Sequence, residues 1–303
     1  MTQPPPRAAA PRQIRNVIWV TSYPKSGNTW VGSALKFAGR AHGDHSNQVD
    51  AYVLQSTGEA PPVNKAVAPR FSDHPCTVLK THSEFSPAGQ PHHFPGLELR
   101  TVGFVHVYRN PLDVLLSYIG YTRLEYKANR EREGYAERLF IDLLGFDRTY
   151  SYDDWLQQSI DTIPQANLDH ALDRFSDGGL SIPHLHKLAG SWTSHFDSWQ
   201  GARSHVEGHS VRYEDLTADV SAFDPLAAMY RFGPEELHEA VDKANGIARK
   251  VSVDGDADQV IFYNKMRAYY FQDYYSKAAI ARFCERNRQV LERAGYTGIL
   301  ETA

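Results

Sequence analysis

The sequence predicts an α/β fold, a single domain whose central parallel sheet is flanked by helices, and three observations predict it. Short β-branched and aromatic runs alternate with helical patterns along the chain. Those runs are almost continuously apolar, as strands covered on both faces must be. Three of them end in a basic or hydrogen-bonding side chain. No repeat or linker-like composition breaks the 303 residues, a length that α/β folds absorb in one unit. The expected division is a disordered tail over residues 1–15, rich in Pro, Ala and Arg, and one domain over 16–303.

Val17 to Ser22 is the first expected strand, and the breaker cluster Tyr23 to Asn28 follows it. Apolar residues at helical spacing then reach Phe37, where Gly39 offers a left-handed stop. From Arg40 to His74 the chain is polar and Pro-bearing and reads as a long functional loop. Thr77 to Lys80 is a second strand and Thr101 to Tyr108 a third. Asn110 suits the N-cap, and Pro111 the first position, of a helix from Leu112 to Tyr121. Charge alternating with Leu, Tyr and Phe from Arg123 to Arg148 predicts an exposed helix with one packed face. Tyr152 to Ile160 looks helical, and Asp161 to Pro183, with Gly178-Gly179, looks like a loop. His209 to Tyr213 is the fourth strand, and Pro234 opens a helix through about Ala244. Ser276 caps a closing helix from Lys277 to Ala294, stopped by Gly295.

Composition narrows the function. With 32 Lys+Arg against 36 Asp+Glu and a formal charge of -4, no global basic field draws in nucleic acid, so an anionic ligand needs a local positive site. Cys76 and Cys284 are too few for a disulfide framework and read as inert small hydrophobes in a reducing compartment. Residues 1–15 hold no apolar signal core, and no run approaches the ~18 apolar residues of a membrane span, so a cytoplasmic location is expected. The pairs His42 and His45, His92 and His93, and His184 and His186 lack an accompanying Cys or carboxylate set and read as solvated or acceptor-site residues, with no metal expected. Asp254-Gly255-Asp256-Ala257-Asp258 lacks the Glu of a calcium loop and reads as an acidic turn. The cluster Tyr269-Tyr270-Phe271-Tyr274-Tyr275 reads as packing under the last helix.

In a parallel sheet the ligand crevice lies at the carboxyl ends of the strands. Strand one ends there in Lys25-Ser26-Gly27-Asn28-Thr29-Trp30, strand two in Lys80-Thr81-His82 and strand three in Arg109-Asn110-Pro111. A Gly27 loop that opens a helix aims backbone N–H groups at an anion, and Lys25 adds a full charge, which makes a phosphate cradle. It is not a Walker A loop, because Lys25 precedes Gly27.

Thr21 to Trp30 resembles the P-loop-like 5′-phosphosulfate loop of cytosolic sulfotransferases, whose pattern is roughly TYPKSGTTW. Val107 to Val114, with Ser117 downstream, resembles that family's 3′-phosphate motif; Leu79-Lys80-Thr81-His82 resembles its catalytic strand end; and Tyr213-Glu214-Asp215-Leu216 resembles its segment near the adenine. The four motifs stand in family order from about Val17 to Leu216.

The resemblance implies a donor cosubstrate, 3′-phosphoadenosine-5′-phosphosulfate (PAPS), leaving as 3′-phosphoadenosine-5′-phosphate (PAP), with no metal required. It implies that Lys25, Ser26, Gly27, Asn28 and Thr29 hold the phosphosulfate, that Trp30 and Tyr213 flank the adenine, and that Arg109 and Ser117 grip the 3′-phosphate. His82 would take the proton of a small-molecule hydroxyl, less readily an amine, while Lys25 and Lys80 stabilise charge in flight. Asn28 stands where the family usually has Thr. The family's late Arg-Lys-Gly clamp has no clean match, and Lys265 and Arg267, or Arg249-Lys250, are its candidate substitutes. No dimerisation motif fixes the oligomeric state. An ATP-dependent phosphotransferase of the P-loop type and a non-catalytic PAP-binding protein are the competing readings.

Overall fold

The computed structural model describes residues 13–41, 76–87, 97–128, 142–146, 160–182, 185, 189–254 and 267–302. Strand β1 (Gln13–Thr21) is continuously apolar over Val17-Ile18-Trp19-Val20 because both of its faces are covered. Ile18 and Val20 face one layer, and Val17 and Trp19 face the other. β2 (Cys76–Thr81) and β3 (Leu97–Tyr108) pair in parallel with β1 on either side, and β4 (Glu207–Arg212) pairs in parallel with β3. The order is β2-β1-β3-β4, so the chain reverses direction across the sheet between β1 and β3. The crevice at such a switch point receives the loops after β1 and β3.

Helix α1 (Asn28–Ala41) follows β1, and α2 (Pro111–Ala128) follows β3. The cap expected at Asn110 is present, its Oδ1 accepting from the Asp113 N–H at 2.8 Å. α1 runs past Gly39, because Ala38 is buried against α7 (Pro234–Asp254) and that tertiary contact outweighs a glycine's weak helix preference. α2 likewise passes Tyr121, absorbing the start of the helix expected from Arg123. Residues 129–141 and 147–148 of that helix, the segment 152–159, most of the Arg40 to His74 loop and the three histidine pairs lie outside the described residues, while Leu143 and Leu144 are described and buried. Of the acidic turn, Asp254 closes α7 and the rest lies outside them too. The expected tail boundary at 15 is also revised, since Gln13 already pairs with Leu97 in β1.

The stretch expected as a loop before Pro183 contains helix α3 (Gln165–Asp177). Leu168, Ala171, Leu172 and Phe175 repeat at helical spacing and are all buried, so a core-facing stripe outweighs the polar content of the segment. Gly178-Gly179 ends the helix, Gly179 in the left-handed region at φ +68°. α4 (Trp192–Gly201) carries the face that Val17, Trp19 and Phe104 pack against, through Trp199. α5 (Tyr213–Ala218) begins where the fourth strand was expected to end, and α6 (Asp224–Tyr230) joins α1 and α7 on the opposite face. α8 (Lys277–Arg293) has the expected cap, Ser276 Oγ accepting from the Ala279 N–H, and α9 (Thr297–Thr302) follows it. Tyr270, Phe271, Tyr274 and Tyr275 pack in the core with α8, as their clustering suggested, whereas Tyr269 is exposed. Among the described residues no helix is long and apolar enough to cross a membrane.

Phe175 stacks on Phe283 with centroids 6.5 Å apart and joins α3 to α8. Phe175→Ala should lower unfolding free energy by about 3–5 kcal/mol, read as a fall in the urea midpoint at an unchanged m-value.

Candidate active site

The loop between β1 and α1 is shaped by two left-handed residues, Lys25 at φ +71° and Gly27 at φ +104°. A non-glycine residue in this region is strained, and such turns line successive N–H groups into an anion-binding hollow. Gly27 is required twice, because a Cβ there would also stand 2.6 Å from Tyr213 Cδ2. The loop ends as α1 begins, so first-turn N–H groups that no helical carbonyl can reach are presented at the hollow. Around it the buried oxygens Thr21 Oγ1, Ser22 Oγ, Ser26 Oγ and Asn28 Oδ1 have no hydrogen-bond partner. Buried polar atoms left unmet call for an explanation, and a polar ligand in the hollow would supply one. Thr29 is half-buried in the first turn of α1, its carbonyl accepting from Ser33 Oγ at 2.9 Å.

The end of β2 is locked to this loop. Asn28 Nδ2 donates to the Thr81 carbonyl at 3.3 Å, and His82 Nδ1 lies 2.7 Å from the Ser22 carbonyl. A carbonyl only accepts, so Nδ1 carries the proton and Nε2 keeps the basic lone pair. Burial pushes the His82 pKa down to about 4; the Ser22 carbonyl raises it, and the charges of Lys80 and Lys25 lower it further. The ring is therefore neutral at pH 7. Lys80 is almost fully buried, and Lys25 Nζ sits 3.9 Å from the centroid of Tyr121 on α2.

Arg109 is held at the end of β3 by a network of buried groups. Its guanidinium lies 4.4 Å over the Tyr213 ring, 5.4 Å from that of Tyr270 and 3.5 Å from Asp113 Oδ2, and it donates to the Arg267 carbonyl at 3.0 Å. Its Nε is buried without a partner. Asp113 accepts from Asn110 Nδ2 and from the Tyr269 and Phe271 N–H groups, and Glu214 accepts from the N–H and Nδ2 of Asn110 and from the Tyr296 hydroxyl. Burial holds both carboxyls above their ordinary range, against the pull of those donors and of Arg109. Ser117 is half-buried on α2 close to Tyr270, whose hydroxyl donates to the Asp113 carbonyl at 3.1 Å and whose ring faces Arg109.

The structure thus gathers Lys25, Ser26, Gly27, Asn28, Thr29, Lys80 and His82 at one strand end, with Arg109, Ser117 and Tyr213 beside them. Trp30 and Tyr213 meet edge to face, centroids 5.7 Å apart, so they form one wall and leave no slot for a ring between them. Trp30 is further tied by Nε1 to Asn245 of α7. Arg267 meets Arg109 through its carbonyl, while its own exposed guanidinium pairs with Asp273. Lys265 lies outside the described residues, as do the side chains of Arg249 and Lys250.

Helix α4 was missing from the sequence reading, and it is what braces the site from behind. Trp192 Nε1 donates to the Arg109 carbonyl, Ser194 Oγ to Glu84, and Trp199 Nε1 to the Ser83 carbonyl, while Ser198 Oγ accepts from the Phe85 N–H. The signal was present: a Ser191-x-x-Ser194 capping box followed by Trp192, His195, Phe196 and Trp199 at helical spacing.

A family model described as the sulfotransferase domain matches residues 15–222, most of the chain. The chain belongs to the sulfotransferase family. Among solved structures its fold is similar to that of the mouse sulfotransferase SULT7A1 complexed with PAP, at 13% identity and a TM-score of 0.50, covering 95% of this chain and 87% of that one. A retinol dehydratase in complex with androsterone and inactive cofactor PAP matches at 12% identity and a TM-score of 0.49, covering 91% and 80%. No curated protein matches the sequence. The sulfotransferase match contains every residue that the sequence motifs assign to the site; the late basic candidates Lys265 and Arg267, with Arg249 and Lys250, lie beyond it.

Behind this crevice two further imidazoles are buried: burial lowers His106 to about 3 and His195 well below its ordinary value. With His82 they make three groups whose folded pKa lies below the unfolded ~6.5. Their stabilising contribution is complete above pH 6.5 and is lost as the pH falls, because the unfolded chain takes up three protons that the native one refuses. The limiting slope of these three is about 4 kcal/mol per pH unit; His209, lowered by burial and by Arg203, adds to it, and Asp113 and Glu214, whose raised pKa values act in the opposite sense, reduce it. Urea midpoints should fall steeply from pH 6.5 to 4.5, and His106→Phe should flatten that fall by about one proton, or ~1.4 kcal/mol per pH unit.

Proposed function

We propose that the protein transfers a sulfonate from PAPS to the hydroxyl of a small acceptor, with His82 as general base. The observation that carries this is the convergence of a neutral, tautomer-fixed His82 and the charges of Lys25 and Lys80 beside a hollow rimmed by unpaired buried oxygens. The residues fit a donor with two anionic ends. The left-handed loop and the first turn of α1 suit its 5′-phosphosulfate, and Arg109, with an unpaired Nε, suits its 3′-phosphate beside Ser117. Trp30 and Tyr213 offer one continuous aromatic wall for a purine. Two cysteines in the whole chain, with Cys284 free and buried, fit a reducing, cytoplasmic setting.

When bound, PAPS supplies an activated sulfonate on a phosphate leaving group. His82 Nε2 takes the proton of the acceptor hydroxyl as its oxygen bonds to sulfur and the sulfur–oxygen bond to the 5′-phosphate breaks, its electron pair leaving with PAP, and Nδ1–H stays on the Ser22 carbonyl. Lys25 offsets charge on the phosphate side and Lys80 on the sulfonate oxygens, so the cations need no metal to assist them. Burial makes His82 a weak base in the empty site, and the same two cations weaken it further. An anionic donor offsets them and so strengthens the base as it binds.

The deciding experiment is calorimetry of PAP in EDTA, with ATP and adenosine 5′-phosphosulfate as competitors. Tight, metal-free binding that needs the 3′-phosphate and is lost in Arg109→Ala is expected; binding of ATP alone, and only with Mg²⁺, would overturn the reading. His82→Ala should lower kcat about 10²–10⁴-fold and Lys25→Ala about 10²–10³-fold, both with PAP still bound. Over the pH range in which unfolding controls show the native fold intact, kcat/KM for PAPS should show no acid limb near the ordinary imidazole pKa of ~6.5, because burial holds His82 below it, and the acid limb of kcat should lie at higher pH than that of kcat/KM. Coincident limbs would show that donor charge does not tune His82.

A further inference from the structure

Two imidazoles stand behind the strand ends that the proposed chemistry does not use. His106, near the end of β3, and His195, on α4, are fully buried with ring centroids 5.4 Å apart, and none of their four nitrogens has a hydrogen-bond partner. Unmet polar atoms in a core are destabilising, so stability alone favours an apolar ring at either place. His195 is the one that reaches the site. Its ring stands edge-on to Tyr23, 6.0 Å between centroids and 80° between planes, where the phosphate loop opens. The His82 backbone is near enough to act on the ring, opposing slightly the fall in pKa that burial causes, although no hydrogen bond joins the two in the empty site. Its neighbours on α4 fix the following stretch, Trp199 on the Ser83 carbonyl and Ser198 on the Phe85 N–H. His195 thus occupies the point where the end of β2, the loop after β1 and the end of β3 come together. Active-site hydrogen bonds are often long in a ligand-free protein and tighten when the site fills.

Taking His82 as the base, as proposed above, we infer that His195 is a positioning residue: it closes a hydrogen bond onto the His82 backbone in the loaded site and so sets the His82 ring against the phosphate loop. The role is distinct from packing, because it belongs to the nitrogens of the ring and not to its volume. His195→Phe keeps the volume and the contacts with Tyr23 and His106 but removes the donor. His195→Gln restores a donor without the ring.

The test compares wild type, His195→Phe and His195→Gln in three measurements: urea unfolding, PAP affinity, and the His82 Cε1–H NMR signal, assigned with His82→Ala and recorded with and without PAP. His195→Phe should be at least as stable as wild type and bind PAP within about threefold. Its His82 signal should be shifted and broadened in the PAP complex, and its single-turnover sulfonate transfer slowed at least tenfold. His195→Gln should return the signal toward wild type and recover much of the rate. An unchanged His82 signal in a folded His195→Phe overturns the inference, as does parallel loss of stability and rate in both variants, which would mark His195 as packing alone. If wild type transfers no sulfonate, the functional reading fails, while the NMR comparison still decides whether His195 positions His82.

Discussion

Two buried carboxylates, Glu214 and Asp113, hold the working edge of this sheet together. Asn110 gives its backbone N–H and its amide to Glu214, and the same amide reaches Asp113. Through Tyr296 and the N–H groups of Tyr269 and Phe271, the two acids draw the C-terminal segment onto the ends of β3 and β4. A carboxylate in a core is tolerated only when its oxygens are met, so each of these donors is obligatory once the acids are buried. Arg109 follows from that arrangement: with Asp113 beside it and Tyr213 and Tyr270 under its plane, it is charged, desolvated and aimed before any ligand arrives. Such preorganisation is what makes a cation effective on an anion in a low-dielectric site.

The other half of the site is built by close approach. Gly27 lies under the Tyr213 ring, the Ser22 carbonyl takes the Nδ1–H of His82, and Asn28 holds the Thr81 carbonyl. None of these contacts leaves room for adjustment, and the strained Lys25 conformation is held among them. α4 completes the frame from below by fixing the backbone on both sides of the crevice, at Arg109 and at Ser83. The charges are one-sided: Lys25, Lys80 and Arg109 converge where His82 must remain neutral. Burial above all, and then the charges of Lys80 and Lys25, keep it so.

The parts of the fold that could be read from sequence are those governed by a few adjacent residues. The strand-loop-helix junctions at Tyr23 to Asn28 and Arg109 to Pro111, and the Ser276 cap, depend on local hydrogen bonds and on the fixed torsions of Gly and Pro. α3 was hidden because polar residues and Gly178-Gly179 obscured a four-residue buried stripe. α4 was hidden because His195 counts as apolar only once it is buried. Both helices owe their stability to the core that they face and not to intrinsic preference.

Sequence by itself determined the α/β class, the strand-loop-helix junction after β1 and the family, because caps, breakers, apolar runs and short motifs are each set by a few adjacent residues. Tertiary structure alone decided which groups are buried, paired or strained at the site. Asn110 meets Glu214 across 104 positions, Trp30 meets Asn245 across 215, and Arg109 meets the Arg267 carbonyl across 158. It is in those long-range contacts that Arg267 turns its carbonyl to the site, Trp30 and Tyr213 close into one wall, and His195 comes to lie against Tyr23 and His106. The reason is physical: desolvation and charge coupling depend on distance in space, and only the packed chain sets that distance.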